Sequence, residues 1–166
     1  LAAQAGVRYS LVNPKKFINV NLIGYLNLLN ELRKIKPKKI FYASSSSVYG
    51  DNIKFPLKES ENLNPKNIYG VSKKLNEKIS IYYSKKFNLN MVGMRFFTIY
   101  GEWGRPDMFL MKYLVSSFDK SKKFYLNNFG NHTRDFTYII DACEIIERLL
   151  FSKKKTTKTS NFQYML

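Results

Sequence analysis

The chain has 166 residues, 45% hydrophobic and 16% aromatic, with 28 Lys and Arg against 12 Asp and Glu, a formal net charge of +16. That apolar content can build a core, so composition excludes wholesale disorder and a collagen-like repeat, while a single cysteine, Cys143, excludes a disulfide scaffold and points to a reducing compartment. The surplus charge is lysine in scattered pairs such as Lys38-Lys39 and Lys85-Lys86, with one run of three at Lys153-Lys154-Lys155, a pattern of solvated faces rather than of a nucleic-acid interface.

The chain opens on Leu1-Ala2-Ala3-Gln4-Ala5-Gly6 without a methionine, so a preceding segment is expected. An apolar series, Phe17, Val20, Ile23, Leu26, Leu29, Leu32 and Ile35, then predicts a helix with Asn13 as its N-cap and Pro14 at its first position, stopped by Pro37. The run from Lys39 to Ala43 is rich in strand formers and leads into four serines, Ser44 to Ser47, which predicts a buried strand opening into a polar loop. A loop carrying Pro56, Glu59, Glu61 and Pro65 precedes a second predicted helix from Ile68 to Phe87, and a second strand follows from Met91 to Phe97. Beyond the Gly101-Glu102-Trp103-Gly104-Arg105-Pro106 loop come a short helix at Met108 to Phe118, a strand at Phe124-Tyr125-Leu126, and a polar loop with the only histidine, His132. A last helix is predicted from Asp141 to Phe151 with Cys143 on its inner face, and a polar tail from Ser152.

Helix, strand, loop, helix, strand is the order of an α/β fold with a parallel sheet, in which ligands gather beyond the carboxyl ends of the strands. Those ends fall at the serine run and at Phe97-Thr98. Divisions are expected near residues 106 and 151. No apolar run approaches the roughly 20 residues of a membrane-spanning helix, and the N-terminus lacks signal-peptide order, so a soluble cytoplasmic protein is expected. No metal-ligand cluster stands out.

Tyr69 and Lys73 lie four apart in a predicted helix and so share one face. A phenol is a poor base at neutral pH, but an adjacent ammonium stabilises its phenolate, so such a pair can act as a general base. Taken alone, the spacing is common in lysine-rich helices. Its context is not: Ala43-Ser44-Ser45-Ser46-Ser47-Val48-Tyr49-Gly50 stands upstream at the end of the preceding strand. This order of strand, hydroxyl, loop and Tyr-Lys helix resembles the extended short-chain dehydrogenase/reductase family, and nearly every residue from 1 to about 151 takes part in the resemblance.

The resemblance implies a Rossmann-like NAD-binding domain, partial over 1–106, and part of a nucleotide-sugar-binding region over 107–151. It implies a catalytic set of Ser45, Tyr69 and Lys73. Cofactor contacts are implied at Leu1, Ala2, Ala3, Gln4 and Ala5, which resemble the end of the family's fourth strand, and at Asn21, Ser44, Tyr69, Lys73 and Phe97. Substrate contacts are implied at Ser45, Ser46, Ser47, Thr98, Arg105, the strand Phe124-Tyr125-Leu126, and Arg134 at the nucleotide diphosphate. Within the family, the Ala43 to Gly50 wording and the segment from Arg95 to Met108 are closest to nucleotide-sugar 4-epimerases acting on UDP-glucuronate, with Ile99, Glu102 and Ile140 as departures. Sugar dehydratases of the family carry an Asp-Glu pair where this chain has Ser46 and Ser47, which favours oxidation and re-reduction over elimination of water.

None of the 8 glycines forms a GxxGxxG turn after a strand, so the resemblance implies that roughly the first 80 residues of the parent fold precede this segment. Two readings therefore remain: a segment of a full-length enzyme, homodimeric by family habit, or an inactive or partner-requiring remnant. A role in surface polysaccharide synthesis follows only from the substrate class.

Overall fold

The computed structural model describes residues 2–51, 55–131, 133–152 and 162–165. Leu1, His132 and the lysine run 153–155 lie outside them. The chain divides into two compact units, one formed by Leu1–Phe96 with Lys153–Leu166 and the other by Phe97–Ser152. This division comes about ten residues before the one expected near 106, because strand pairing changes partners between Phe96 and Thr98.

In the first unit, β1 (Ile40–Ser45), β2 (Met91–Phe96) and β5 (Phe162–Met165) form a parallel sheet in the order β1-β2-β5. The tail was expected as loop, and β5 within it corrects that: backbone donors and acceptors along the edge of β2 recruit it from Val92 to Arg95. β1 also runs two residues further than the apolar run suggested, through Ser44 and Ser45, since their backbone groups pair with Arg95 and Phe96. The carboxyl ends of β1 and β2 thus finish level with each other.

Residues 2–6, likened to a strand end, have no ladder partner among the described residues, and a helix that the apolar pattern did not indicate, α1 (Val7–Val12), follows them. Asn13 caps α2 (Pro14–Phe17) as expected, its side chain accepting from the Lys16 N–H at 3.3 Å. Between α2 and α3 (Gly24–Ile35) the helix widens into a π-helical stretch, Ile18–Ile23. That widening changes which face is buried. The expected series stepped by three, whereas the structure buries Phe17, Asn21 and Leu29 with Tyr25 half-buried between them, and leaves Val20, Ile23 and Ile35 exposed. A step of three drifts backward around an α-helix, and wider turns move the inward row to a step of four.

α4 (Ile68–Phe87) is capped by Asn67, whose side chain accepts from the Gly70 N–H at 2.9 Å. It packs beside the π-helical stretch and α3 through three polar rungs, Asn21 to Ser72, Tyr25 to Ser80 and Asn30 to Tyr83, at 3.0, 2.6 and 3.0 Å. The rungs climb both helices in the same direction, as the parallel sheet requires. Beneath them Leu29, Ile40, Tyr42, Leu89 and Met91 form the buried core.

In the second unit, β3 (Thr98–Tyr100) pairs in parallel with β4 (Phe136–Tyr138), alongside α5 (Phe109–Phe118) and α6 (Ile139–Phe151). An aromatic cluster holds it, with Phe124 edge-on to Phe109 and Tyr113 at 5.3 and 5.7 Å between centroids. Residues 124–126 are not the strand expected: Phe124 packs on these rings, and among the described residues no strand pairs with the segment. Cys143, expected in the core, is exposed, because Ala142 is the residue α6 turns inward. Among the described residues no helix is long and apolar enough to cross a membrane.

Candidate active site

Ser45 ends β1 in an extended conformation and starts a single 3-10 turn, Ser46–Val48, by accepting the Ser47 N–H at 3.2 Å. Its own hydroxyl proton is donated to nothing among the described residues. The start of α4 lies directly against this turn. A Cβ on Gly70 would stand 2.6 Å from the Ser47 carbonyl oxygen and 2.9 Å from Pro65, so only glycine permits the approach. A second glycine closes the same segment: Gly50 has φ +68 and no room for a Cβ against the Asn64 carbonyl.

The residue before Gly70 is Tyr69, half-buried with Phe17 edge-on to its ring at 6.2 Å, and its hydroxyl has no hydrogen bond among the described residues. One turn on, Lys73 is 4% exposed. Its Nζ lies 5.9 Å from the Tyr69 ring centroid and donates to the Ala43 carbonyl at 2.8 Å, so the ammonium is tied to the strand that carries Ser45. Burial pushes the Lys73 ammonium down to about 8. A buried ammonium of this kind attracts negative charge that develops beside it.

On the side of the segment 2–6, Asn21 is a strut. It accepts the Gln4 N–H at 2.8 Å and donates to the Gln4 carbonyl and to Ser72 Oγ, each at 3.0 Å. Ser72 Oγ in turn donates to the Tyr69 carbonyl at 2.8 Å. Asn21, expected to touch a cofactor, directs both amide protons into the protein and fixes the backbone of Gln4 relative to that of Tyr69. Of the neighbours named with it, Ala2 and Ala3 are exposed, Ala5 is half-buried, and Leu1 lies outside the described residues.

Two residues not named as site candidates, Glu77 and Arg95, complete this unit. Glu77, two turns beyond Tyr69, forms a buried ion pair with Arg95 of β2, Arg95 Nε to Oε1 at 2.9 Å and an Arg95 terminal nitrogen to Oε2 at 2.8 Å, each side chain 4% exposed. Ser44 donates to the same carboxylate, so its hydroxyl, expected at a cofactor, is directed to Glu77. The other terminal nitrogen of Arg95 donates to Tyr49 Oη at 2.7 Å and to the Glu59 carbonyl at 2.9 Å. The available signal was an arginine inside an otherwise apolar strand and a glutamate four residues after Lys73, since such charges enter a core only as a pair.

The remaining candidates belong to the second unit. Thr98 pairs across to Phe136, two residues after the exposed Arg134. Arg105 is fork-paired with Asp107, both partly exposed, and its guanidinium holds the Asp107 carboxyl below its usual range. Phe97 is half-buried, as are Ser46 and Ser47 in the first unit, while Tyr125 and Leu126 are exposed.

Comparisons with known proteins agree with this geometry. The family model described as the NAD dependent epimerase/dehydratase family matches residues 1–162. A protein of Rhizobium meliloti described as a probable UDP-glucuronate 4-epimerase is 43% identical over 150 residues, 90% of this chain and 44% of its own. The crystal structure of UDP-glucuronic acid 4-epimerase from Bacillus cereus, with UDP-glucuronic acid and NAD, superposes with a TM-score of 0.91 at 31% identity, over 99% of this chain and 51% of the other. A UDP-N-acetylglucosamine 4-epimerase from Methanobrevibacter ruminantium M1 superposes with a TM-score of 0.90 at 25% identity, over 100% of this chain and 53% of its own. The chain spans about half the length of the relatives it matches.

Proposed function

The chain belongs to the NAD dependent epimerase/dehydratase family, and from that membership we propose that the protein containing it epimerises a UDP-sugar at carbon 4, converting UDP-glucuronate to UDP-galacturonate. The observation that carries the reading is a pair of hydroxyls, Ser45 and Tyr69, that keep unused hydrogen-bonding capacity where the groups around them are bonded, with a buried ammonium, Lys73, behind the phenol. Two hydroxyls beside an ammonium suit the removal and return of a proton at a sugar hydroxyl.

These residues fit NAD: Tyr69, Lys73 and Phe97 would hold it together with the segment 2–5, whose Gln4 backbone is held by Asn21. When bound, NAD supplies the hydride acceptor that makes a transient 4-keto sugar possible, and the hydride donor that reverses it. The work of this chain is proton transfer and placement. Tyr69 as phenolate takes the 4-hydroxyl proton and later returns it, Lys73 stabilises that phenolate, and Ser45 donates to the same sugar oxygen. Ser46, Ser47, Thr98 and Arg105 are proposed for the sugar and its carboxylate, and Phe124, Tyr125, Leu126 and Arg134 for the uridine diphosphate.

Similarity to the Rhizobium and Bacillus proteins supports the uronate, while the N-acetylglucosamine epimerase shows that this architecture also serves neutral sugars. The full-length gene product, incubated with NAD and each of UDP-glucuronate, UDP-glucose and UDP-N-acetylglucosamine, is expected to form the C4 epimer of the acid with at least about tenfold higher kcat/KM. Preference for a neutral sugar would refute the uronate assignment. We also propose that the protein pairs with a second copy through α3 and α4, where Leu28 and Ile35, and Leu75 and Tyr82, each stand seven apart on their helix and are 40–71% exposed. Sedimentation at twice the monomer mass is expected; a monomer at micromolar concentration would overturn this.

A further inference from the structure

We propose that the Arg95–Glu77 ion pair is a positioning device for Ser45, holding the segment that carries it at both ends. Resting on the reading of Ser45 as a substrate-binding hydroxyl, the inference goes beyond it by naming what aims that hydroxyl. Glu77 accepts from Ser44, the residue immediately before Ser45, and Arg95 donates to Tyr49 at 2.7 Å, the residue that closes the turn after it. The two clamps are not independent. They are the two halves of one buried fork-to-fork ion pair, Glu77 from α4 and Arg95 from β2.

The same row of α4 carries the rest of the site. Tyr69, Lys73 and Glu77 follow one another at intervals of four, and the last two grip consecutive residues of β1, Lys73 the Ala43 carbonyl and Glu77 the Ser44 hydroxyl. The helix is thereby locked in register against the end of β1, and Tyr69 and Ser45 sit at the ends of the two locked elements. Stability alone does not account for the choice of groups. A buried ion pair is often no better than apolar packing of the same volume, whereas a planar guanidinium and a carboxylate impose direction on every group bonded to them. Misplacing a reacting group by about 1 Å costs as much as 100-fold in rate, so a device that fixes direction acts on kcat.

The test uses Ser44→Ala and Tyr49→Phe in the full-length protein, each removing one hydroxyl and leaving the ion pair in place. Each is expected to lower kcat about tenfold with KM for the UDP-sugar unchanged, at a temperature where unfolding curves show every variant folded. In a Ser45→Ala background the same two substitutions are expected to cost no further activity, because the group they position is gone. A kcat within twofold of wild type, a loss confined to KM, or an equal loss with and without Ser45 would each overturn the proposal while leaving the epimerase reading intact. A wild-type protein that epimerises no UDP-sugar would overturn both.

Discussion

Tyr69→Phe is expected to lower kcat for the proposed epimerisation by about three orders of magnitude in the full-length protein, with thermal unfolding nearly unchanged. The expectation is specific because the hydroxyl removed makes no hydrogen bond among the described residues, and the contact of the ring with Phe17 survives in phenylalanine. Loss of a positioned acid-base group costs about 10²–10⁴ in rate. Lys73→Met separates the two roles. With the phenol still in place but no ammonium behind it, proton transfer loses its electrostatic support, so kcat is expected to fall about 100-fold. Steady-state kinetics of the two variants side by side read this directly. Near-normal activity in either Tyr69→Phe or Lys73→Met would refute the assigned chemistry.

The second large effect is on stability. Arg95→Ala leaves the Glu77 carboxylate buried with no cationic partner, and Glu77→Ala leaves the guanidinium in the same position. Breaking one side of a buried pair costs about 3–5 kcal/mol, against about 0–1 for an exposed pair such as Lys34–Glu31. Arg95→Met combined with Glu77→Leu is expected to be less destabilising than either charge removal alone, because no uncompensated charge then remains in the core. Urea unfolding of the three variants checks the order. Additive losses in the double variant would show that the two side chains act separately.

Much of this site was legible in the residues. The order of Ser45, Tyr69 and Lys73, the cap at Asn13 and the extent of α4 follow from local patterns: a strand former beside a hydroxyl run, a four-residue spacing, a capping side chain before a proline. Where the reading missed, the cause was a contact between distant parts of the chain. The inward row of the helix from Pro14 to Ile35 could not be read from a step of three, because the π-helical turns that shift it are held by Asn21 reaching both Gln4 and Ser72. β5 was missed because it forms only against β2. Phe124 to Leu126 read as strand because its residues favour strands, yet a strand needs a partner and rings claimed Phe124 instead.

By itself, then, the sequence determined which groups are available for chemistry and on which elements they ride, since helix spacing and strand ends are local properties. Only the tertiary structure decided which of them already have partners inside the protein. Asn21 and Ser44 carry the same kinds of polar group as Ser45 and Tyr69, but a buried polar group must find a partner, and theirs are Gln4 and Glu77 inside the protein. Among the described residues the hydroxyls of Ser45 and Tyr69 keep unused hydrogen-bonding capacity, and the proposed function gives that capacity to a bound sugar oxygen.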